Sequence, residues 1–294
     1  MKRKKIKIFD VVLVLVMIVI AVVTIYPFLN VLAISFNDAT DTVKGGIHIL
    51  PRQFTLQNYK EIFEGNSKLP RGLLISVLRT VIGTATGVIA SAMVAYTLSR
   101  REFVFNKLVT IIFVLTMYIS GGLIPEYMVI RQLGLINNFA VYILPGLIST
   151  FNVIVIRSFI DGLPPALNES AMIDGANDFI IFSKIVLPLC LPVIATVALF
   201  IAVGQWNSWF DTYLYARSND GLTTLQYELM KVMDNAAAGA KVDPNNPLLQ
   251  SASGVNPESI KMAITMVATV PILMVYPFVQ KYFVTGMTLG AVKS

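Results

Sequence analysis

Apolar stretches of about 20 residues recur along this chain and limit its possible folds more than any other feature. Each is nearly free of charge and long enough to cross the ~30 Å hydrocarbon core of a bilayer. Of the 294 residues, 55% are hydrophobic and 14% are charged, whereas a soluble domain carries about 25% charged residues. Because a lipid-exposed backbone must satisfy its own hydrogen bonds, the stretches should be helical. The sequence therefore predicts an all-α integral membrane protein.

These stretches predict six transmembrane helices. A cluster of five Lys and Arg residues between positions 2 and 7 precedes the first, so the positive-inside rule places the N-terminus in the cytoplasm. The first apolar run exceeds the 7–15 residues usual for a cleavable signal peptide, which favours an uncleaved signal anchor. An even number of spans then returns the C-terminus to the cytoplasm. The predicted helices are Val11–Ser35, Leu73–Leu98, Leu108–Leu123, Phe139–Phe159, Leu187–Val203 and Met262–Val279.

Several kinds of chemistry are absent from the sequence. The net charge of +6 is concentrated next to the apolar runs, which indicates contact with anionic lipid rather than with nucleic acid. The single His48 and the single Cys190 offer neither a metal-ligand cluster nor a disulfide. No G-x-x-x-x-G-K-[ST] phosphate loop and no nucleophile–base pair is present. We therefore expect no cofactor, no metal and no enzymatic activity of the chain itself.

The second predicted span carries a face of small residues and one charge. Gly83 and Gly87 have the spacing that permits close helix approach, within this chain or with a partner. Arg79 lies about two turns from the outer end of the span. Its side chain could snorkel to the interface, or it could belong to a polar pathway. The sequence leaves these two interpretations open.

The segment between the fourth and fifth spans, residues 160–188, is here called the elbow. Pro165 can start a short helix, Gly175 can end it, and a second helix can follow. The second helix would place Phe179, Phe182 and Ile185–Val186 on one apolar face. With acids at Glu169, Asp174 and Asp178, the elbow suits docking into a groove of another protein. The alternative is a hairpin on the membrane surface, but such hairpins usually carry Lys and Arg.

A family resemblance rests on the elbow. The pattern Glu169-x-Ala171-x-x-Asp174-Gly175-Ala176, followed by Ile185-x-Leu187-Pro188, resembles the EAA loop of binding-protein-dependent ABC importer permeases. More narrowly, the chain resembles the maltose-type carbohydrate permeases, in the position of the smaller permease subunit. The family pattern usually has Ala where this chain has Ser170. Further matching stretches are Ala95-Tyr96-x-x-Ser99-Arg100, Arg131–Leu135, Trp206-Asn207 and Gln280–Lys293.

The resemblance implies a type I ABC importer permease fold and an assembly of several proteins. Two permeases would pair, an ATP-binding cassette ATPase dimer would bind their EAA loops, and an extracytoplasmic solute-binding protein would deliver the substrate. The implied organisation is a signal-anchor helix at 1–36, an extracytoplasmic loop at 37–70, a permease core at 71–282 and a cytoplasmic tail at 283–294. The implied ATPase-docking residues are Glu169, Ser170, Ala171, Asp174, Gly175, Ala176 and Pro188.

The outer end of the fifth span is a candidate substrate pathway. Aromatic rings can stack on sugars, and Asn or Asp side chains can bind hydroxyl groups. The alternative is an aromatic belt at the membrane interface, where Trp and Tyr are enriched. The segment Met233–Glu258 is predicted to be a long outer loop, and the family resemblance implies that a loop in this position contacts the binding protein. The candidate pathway residues are Trp206, Asn207, Trp209, Asp211, Tyr213 and Arg79.

The function that the resemblance implies is ATP-driven import of an oligosaccharide across the bacterial cell membrane. An ABC permease for a non-sugar solute is the nearest alternative. A secondary transporter working without ATP is a further alternative, for which internal repeats and broken helices around a midplane site would be expected.

Overall fold

The computed structural model describes residues 8–64, 68–100, 102–237 and 257–291. In these ranges the regular structure is helical, apart from an antiparallel bridge between Asn37 and Phe54. Short 3-10 turns at Phe139–Tyr142 and Asp220–Leu222 and a π-helical turn at Phe182–Val186 accompany the α-helices. The α-helices are α1 Ile8–Ser35, α2 Ala39–Thr42, α3 Gln57–Glu64, α4 Leu69–Ser99, α5 Asn106–Tyr118, α6 Leu123–Gln132, α7 Thr150–Ile160, α8 Ala166–Ile173, α9 Asp178–Ile181, α10 Leu187–Leu189, α11 Leu191–Asn207, α12 Phe210–Tyr215, α13 Leu225–Ala237 and α14 Pro257–Ala291.

The predicted spans coincide with apolar helices, although not all of these helices are long enough to cross a membrane. Within the described residues, α1, α4 and the Glu258–Pro277 part of α14 are long and apolar enough to cross a membrane. The fifth predicted span is a bent pair, in which Asp178–Leu189 and Leu191–Asn207 meet at 84°. The third and fourth correspond to the shorter helices α5 and α7. The all-α membrane fold is confirmed, and the count of six spans stays a prediction because of these two helices.

The ends of three predicted spans are wrong, and local chemistry explains each difference. The third span ends at Tyr118 rather than Leu123, because Gly122 adopts a φ of +87° and starts a new helix, α6. The fourth begins at Thr150, after a non-helical stretch that contains Pro145 and Gly146. In the fifth, the backbone turns at Cys190 before Pro192 enters the first turn of α11, where proline is tolerated.

The chain divides into two compact units, Met1–Pro70 with Leu229–Val270, and Arg71–Glu228 with Pro271–Ser294. In the first unit, the loop that follows α1 is folded by buried amides. Asn58 Nδ2 donates to the carbonyl oxygens of Ser35 at 2.9 Å and of Asn37 at 3.0 Å.

The second unit has its core where α4, α7 and α11 pack together. Ala95 of α4, Ile156 of α7 and Val197 of α11 are each fully buried there. Cys190 is buried in the same core, as predicted for a small apolar residue. A Cβ atom on Gly87 would lie 3.2 Å from Cδ1 of Ile201, so the small-residue face of α4 packs against α11 of this chain.

Some predicted features lie outside the described residues. Residues 238–256 of the candidate loop Met233–Glu258 lie outside the described residues, whereas residues 233–237 form the end of α13. Arg101 and the last three residues, 292–294, are also outside. The helix α14 extends to Ala291, beyond the predicted start of a tail at 283.

Candidate functional sites: the elbow and the Arg79 cluster

The elbow consists of two helical segments that meet at Gly175. α8 begins directly after Pro165 and ends in a Schellman motif, in which the Ala176 amide donates to the Ala171 carbonyl at 2.9 Å. Gly175 has a φ of +83°, a left-handed conformation that costs glycine no Cβ strain. Asn177 then caps α9, its Oδ1 accepting an amide hydrogen of the first turn at 2.9 Å. The predicted pair of helices with a break at Gly175 is confirmed.

The apolar face of the second segment points into the chain rather than outward. Phe182 and Val186 are buried in the core of the second unit, and the Phe182 ring lies 5.4 Å from the Tyr96 ring of α4. The most exposed apolar residues of the elbow are instead Ile173, at 86%, and Phe179, at 68%. The expectation that Phe182 and Val186 face a partner is therefore wrong. Periodicity identified an apolar face, but the small residues of α4 give that face a partner inside the chain.

The three acids predicted for docking, Glu169, Asp174 and Asp178, are all exposed, and Asp178 contacts α4. Asp178 Oδ1 lies 3.3 Å from Nη2 of Arg100 and accepts the Tyr96 hydroxyl at 3.2 Å. Glu169 and Asp174 point to solvent from α8 and its end. Glu169 also lines a groove of about 490 Å³, whose charged residues are Arg100, Glu102, Arg157, Asp161 and Glu169.

The other predicted docking residues occupy different depths of the elbow. Ser170 is exposed, and its Oγ donates to the Leu167 carbonyl at 3.3 Å. Ala171 is buried against the core and Ala176 is half-buried, so both support the exposed surface from beneath. Pro188 is exposed in the first turn of α10. The exposed surface of α8 and the start of α9 is here called the elbow tip and consists of Glu169, Met172, Ile173, Asp174 and Phe179.

Arg79 is the centre of a polar cluster in the second unit and is 2% exposed. Its guanidinium donates to both carboxylate oxygens of Asp211, at 3.1 and 2.5 Å, and Nε donates to Oε1 of Gln205 at 3.0 Å. It also lies 4.4 Å above the ring centre of Tyr142. The side chain does not snorkel, because a half-buried carboxylate partner and an aromatic face take the place of water. Arg79, Gln205, Asp211 and Tyr142 are called the Arg79 cluster below.

The remaining candidate pathway residues lie on α11 and α12. Trp206 is buried and lines an apolar crevice of about 160 Å³. Asn207 is exposed and accepts from the Gln226 amide at 3.3 Å. Trp209 and Tyr213 have ring centres 6.4 Å apart, and Tyr213 is partly open to solvent. Asn207, Trp209 and Tyr213 therefore remain able to contact a ligand, whereas the charges of Arg79 and Asp211 satisfy each other.

Sequence reasoning missed Gln205, Tyr142 and the contact between Tyr96 and Asp178. Gln205 lies directly before a residue that was singled out, and Tyr96 lies in a stretch that carries the family resemblance. No local pattern links either of them to a partner about 80 to 130 residues away. A search for a buried acid to neutralise Arg79 is the one signal that could have pointed to Asp211.

Relatives of the chain are permeases of carbohydrate transport systems. No protein-family profile matches. The polygalacturonan/rhamnogalacturonan transport system permease protein YtcP of Bacillus subtilis is 39% identical over 287 residues, covering 98% of this chain and 99% of that protein. Protein LplC of Bacillus subtilis is 40% identical over 288 residues, covering 98% of this chain and 95% of LplC.

A solved structure shares the fold over nearly the whole chain. A chain of a bacterial ABC transporter involved in the import of the acidic polysaccharide alginate matches with a TM-score of 0.85 and 25% identity. The match covers 96% of this chain and all of that one. Identity of 39% across 98% of the chain, together with this shared fold, is sufficient to assign the chain to a family. The chain belongs to the permease subunits of carbohydrate-importing ABC transporters.

Proposed function

We propose that this permease moves an oligosaccharide into the cell and that the elbow tip is where its ATPase docks. As a transport subunit of an ABC importer, it works with a second permease, with separate ATPase chains and with a solute-binding protein. The observation that carries the docking proposal is the exposure of Ile173 and Phe179 beside Glu169 and Asp174.

The composition of the elbow tip favours a protein partner over the membrane surface. Ile173 and Phe179 supply apolar area, and burying such side chains stabilises a complex by about 1.5–3 kcal/mol each. Glu169 and Asp174 would be repelled by anionic headgroups, which attract Lys and Arg instead. The exposed acids are better matched by basic residues of a protein groove, which is the helix-in-groove mode of recognition.

The proposed orientation has both termini in the cytoplasm. The Lys-rich residues before α1 support this arrangement through the positive-inside rule. The N-terminal helix would be an uncleaved anchor, and the elbow would then lie on the cytoplasmic side with the ATPase. The Arg79 cluster and the aromatic residues of α12 would lie towards the outer side.

The proposed cargo is an oligosaccharide that contains uronic acid. The support is the pectin-related name of YtcP and the alginate transporter that shares the fold. On this proposal Asn207, Trp209 and Tyr213 are the pathway contacts, because they are the candidate residues with accessible rings or amides. Arg79 does not recognise the acidic groups of the sugar, since Asp211 already occupies its guanidinium.

Co-purification and transport test the docking proposal. The permease is purified with its partner permease and ATPase, and the variant Glu169→Arg is compared with Glu64→Arg, which reverses an exposed acid far along the sequence from the elbow. We expect Glu169→Arg to lose most ATPase association and uptake, and Glu64→Arg to retain both. Unchanged association in Glu169→Arg would show that the ATPase docks elsewhere.

The cargo is tested separately in vesicles that contain the whole importer and its binding protein. Uptake of oligogalacturonides is compared with that of neutral arabino- and malto-oligosaccharides of equal length. We expect preference for the acidic sugars. Preference for a neutral sugar would overturn the uronic acid proposal and leave the docking proposal intact.

A further inference from the structure

The helix α4 contacts both candidate sites, one through Arg79 in its first half and the other through Tyr96 in its last turn. Arg79 belongs to the Arg79 cluster, and Tyr96 contacts the elbow. These residues are 17 positions apart in one continuous helix with no proline between them, a separation of about 26 Å along the helix axis. A single helix therefore joins two sites that are separated by most of the thickness of a bilayer.

At the elbow, three side chains fix the end of α4. The Tyr96 ring lies 5.4 Å from the buried Phe182 ring, and its hydroxyl donates to Asp178 at 3.2 Å. The Arg100 guanidinium lies 5.7 Å above the Tyr96 ring and 3.3 Å from the same Asp178 oxygen. Because Phe182 and Asp178 both belong to the second segment of the elbow, a displacement of that segment acts directly on α4.

In the first half of α4, the contact between Arg79 and Asp211 of α12 has a fixed geometry. The planar guanidinium of Arg79 meets both oxygens of Asp211, and such a two-point contact fixes direction as well as distance. Gln205 of α11 binds Nε of Arg79 and donates to the Tyr142 carbonyl at 3.1 Å. A rotation or shift of α4 would therefore carry Asp211, and with it α12, in a defined direction.

We propose that α4 transmits movement of the docked elbow to α12, with Tyr96–Asp178 and Arg79–Asp211 as the two positioning contacts. The inference rests on the proposed function, because it requires an ATPase bound at the elbow tip. When the ATPases close, the movement of α4 changes the position of Trp209 and Tyr213, the aromatic residues of the proposed sugar pathway. Arg79 is thus a coupling residue and does not bind the sugar.

The test separates coupling from assembly in vesicles that contain the complete importer and its binding protein. The variants change little in side-chain size. Arg79→Lys removes the two-point contact with Asp211, Tyr96→Phe removes the hydroxyl donor, and Asp178→Asn removes the charge that pairs with Arg100. Asp161→Asn is the matched control, because it breaks the ion pair between Asp161 and Arg157 at 3.5 Å without touching α4. We measure sugar imported and ATP hydrolysed in the same vesicles.

A fluorophore reports the movement of the α12 region directly. Ser218→Cys, exposed just after α12, carries an environment-sensitive label, while the native thiol of Cys190 is buried and does not react. We expect emission in the otherwise unchanged permease to respond when vanadate takes the place of the released phosphate and traps ADP in the closed ATPases. In Arg79→Lys, Tyr96→Phe and Asp178→Asn, this emission response should fall at least threefold, and the amount of sugar imported per ATP hydrolysed should fall about tenfold. The rate of ATP hydrolysis should stay within about twofold.

The possible outcomes are distinguishable. A normal sugar-to-ATP ratio and a normal emission response in Arg79→Lys or Tyr96→Phe would overturn the transmission proposal. Loss of assembly in either variant would also overturn it, because a contact needed for coupling alone leaves the complex intact. No emission response in the otherwise unchanged permease would also overturn the transmission proposal. Normal uptake in Glu169→Arg would instead contradict the proposed docking function.

Discussion

Gly83 and Gln205 approach so closely that a Cβ atom on Gly83 would lie 2.9 Å from Cδ of Gln205. The Gln205 amide is held on both sides, because its Oε1 accepts from Arg79 at 3.0 Å and its Nε2 donates to the Tyr142 carbonyl at 3.1 Å. The glycine therefore provides the space in which Gln205 supports the guanidinium of Arg79.

A larger residue at position 83 should disrupt this arrangement. We expect Gly83→Leu to destabilise the permease by about 1–3 kcal/mol, since overpacking forces the held amide away from Arg79. Thermal unfolding of the purified permease measures the effect. The control is Gly204→Ala in α11, where an added Cβ meets nothing within 4 Å. Equal melting temperatures for Gly83→Leu and the parent chain would show that Gln205 moves aside freely.

The left-handed turn of the elbow predicts a residue preference at Gly175. Because φ there is +83°, Gly175→Val should cost about 1–2 kcal/mol locally, while Gly175→Asn should cost less, since Asn tolerates this conformation. The rate of proteolysis within the elbow should rise in the order Gly, Asn, Val. Equal proteolysis of the Val and Asn variants would contradict the prediction.

Apolar exposure at the elbow tip predicts where the ATPase binds. We expect Ile173→Asp to weaken binding of the purified ATPase at least tenfold without lowering the melting temperature, because Ile173 is 86% exposed. Val104→Asp is the matched control, since Val104 is 88% exposed between α4 and α5 and lies outside the elbow. Equal loss of binding in the two variants would argue against a specific contact at Ile173.

The folded loop after α1 should be sensitive to acid through Asp41. The amide of Asn37, and after it the guanidinium of Arg52, hold the pKa of the Asp41 carboxyl below its ordinary value of 3.8. The Asp41 carboxylate of the folded state therefore takes up a proton at a lower pH than that of the unfolded chain. The stabilisation is complete above pH 3.8 and is lost as the pH falls through the lower, folded-state value.

Hydrogen exchange between pH 5 and pH 3 measures this loss in the loop of residues 36–64. We expect Asp41→Asn to remove most of the pH dependence, whereas Glu64→Gln, which removes an exposed carboxyl of the same loop, should retain it. If Asp41→Asn shows the same acid response as the parent chain, another group controls the loop.

Local signals in the sequence were sufficient for the elbow, and this explains why its shape was predictable. A proline before α8, a glycine after it and an Asn cap on α9 each act within a few residues. The direction of the second segment was not predictable in the same way. Periodicity places Phe182 and Val186 on one face, but only the packing of the small residues of α4 decides that this face is internal.

The Arg79 cluster shows a different limit of sequence reasoning. Arg79 was recognised as costly in a membrane helix, yet its partner Asp211 lies 132 positions away. Asp211 was interpreted through its aromatic neighbours, as part of a sugar site. No spacing rule joins residues on separate helices, so the pair and its support by Gln205 emerged only from the fold.

The shortness of α5 and α7 has a consequence for the surroundings of the permease. Helices of 13 and 11 residues are about 20 and 17 Å long, less than the ~30 Å of the hydrocarbon core. On the six-span prediction, non-helical backbone at 119–122 and 143–149 continues these helices at the depth of the acyl chains, where bare peptide groups must be sheltered by protein or water. Annular lipid could then not enclose this chain on all sides. The flank formed by these two segments would face the companion subunit or the aqueous pathway.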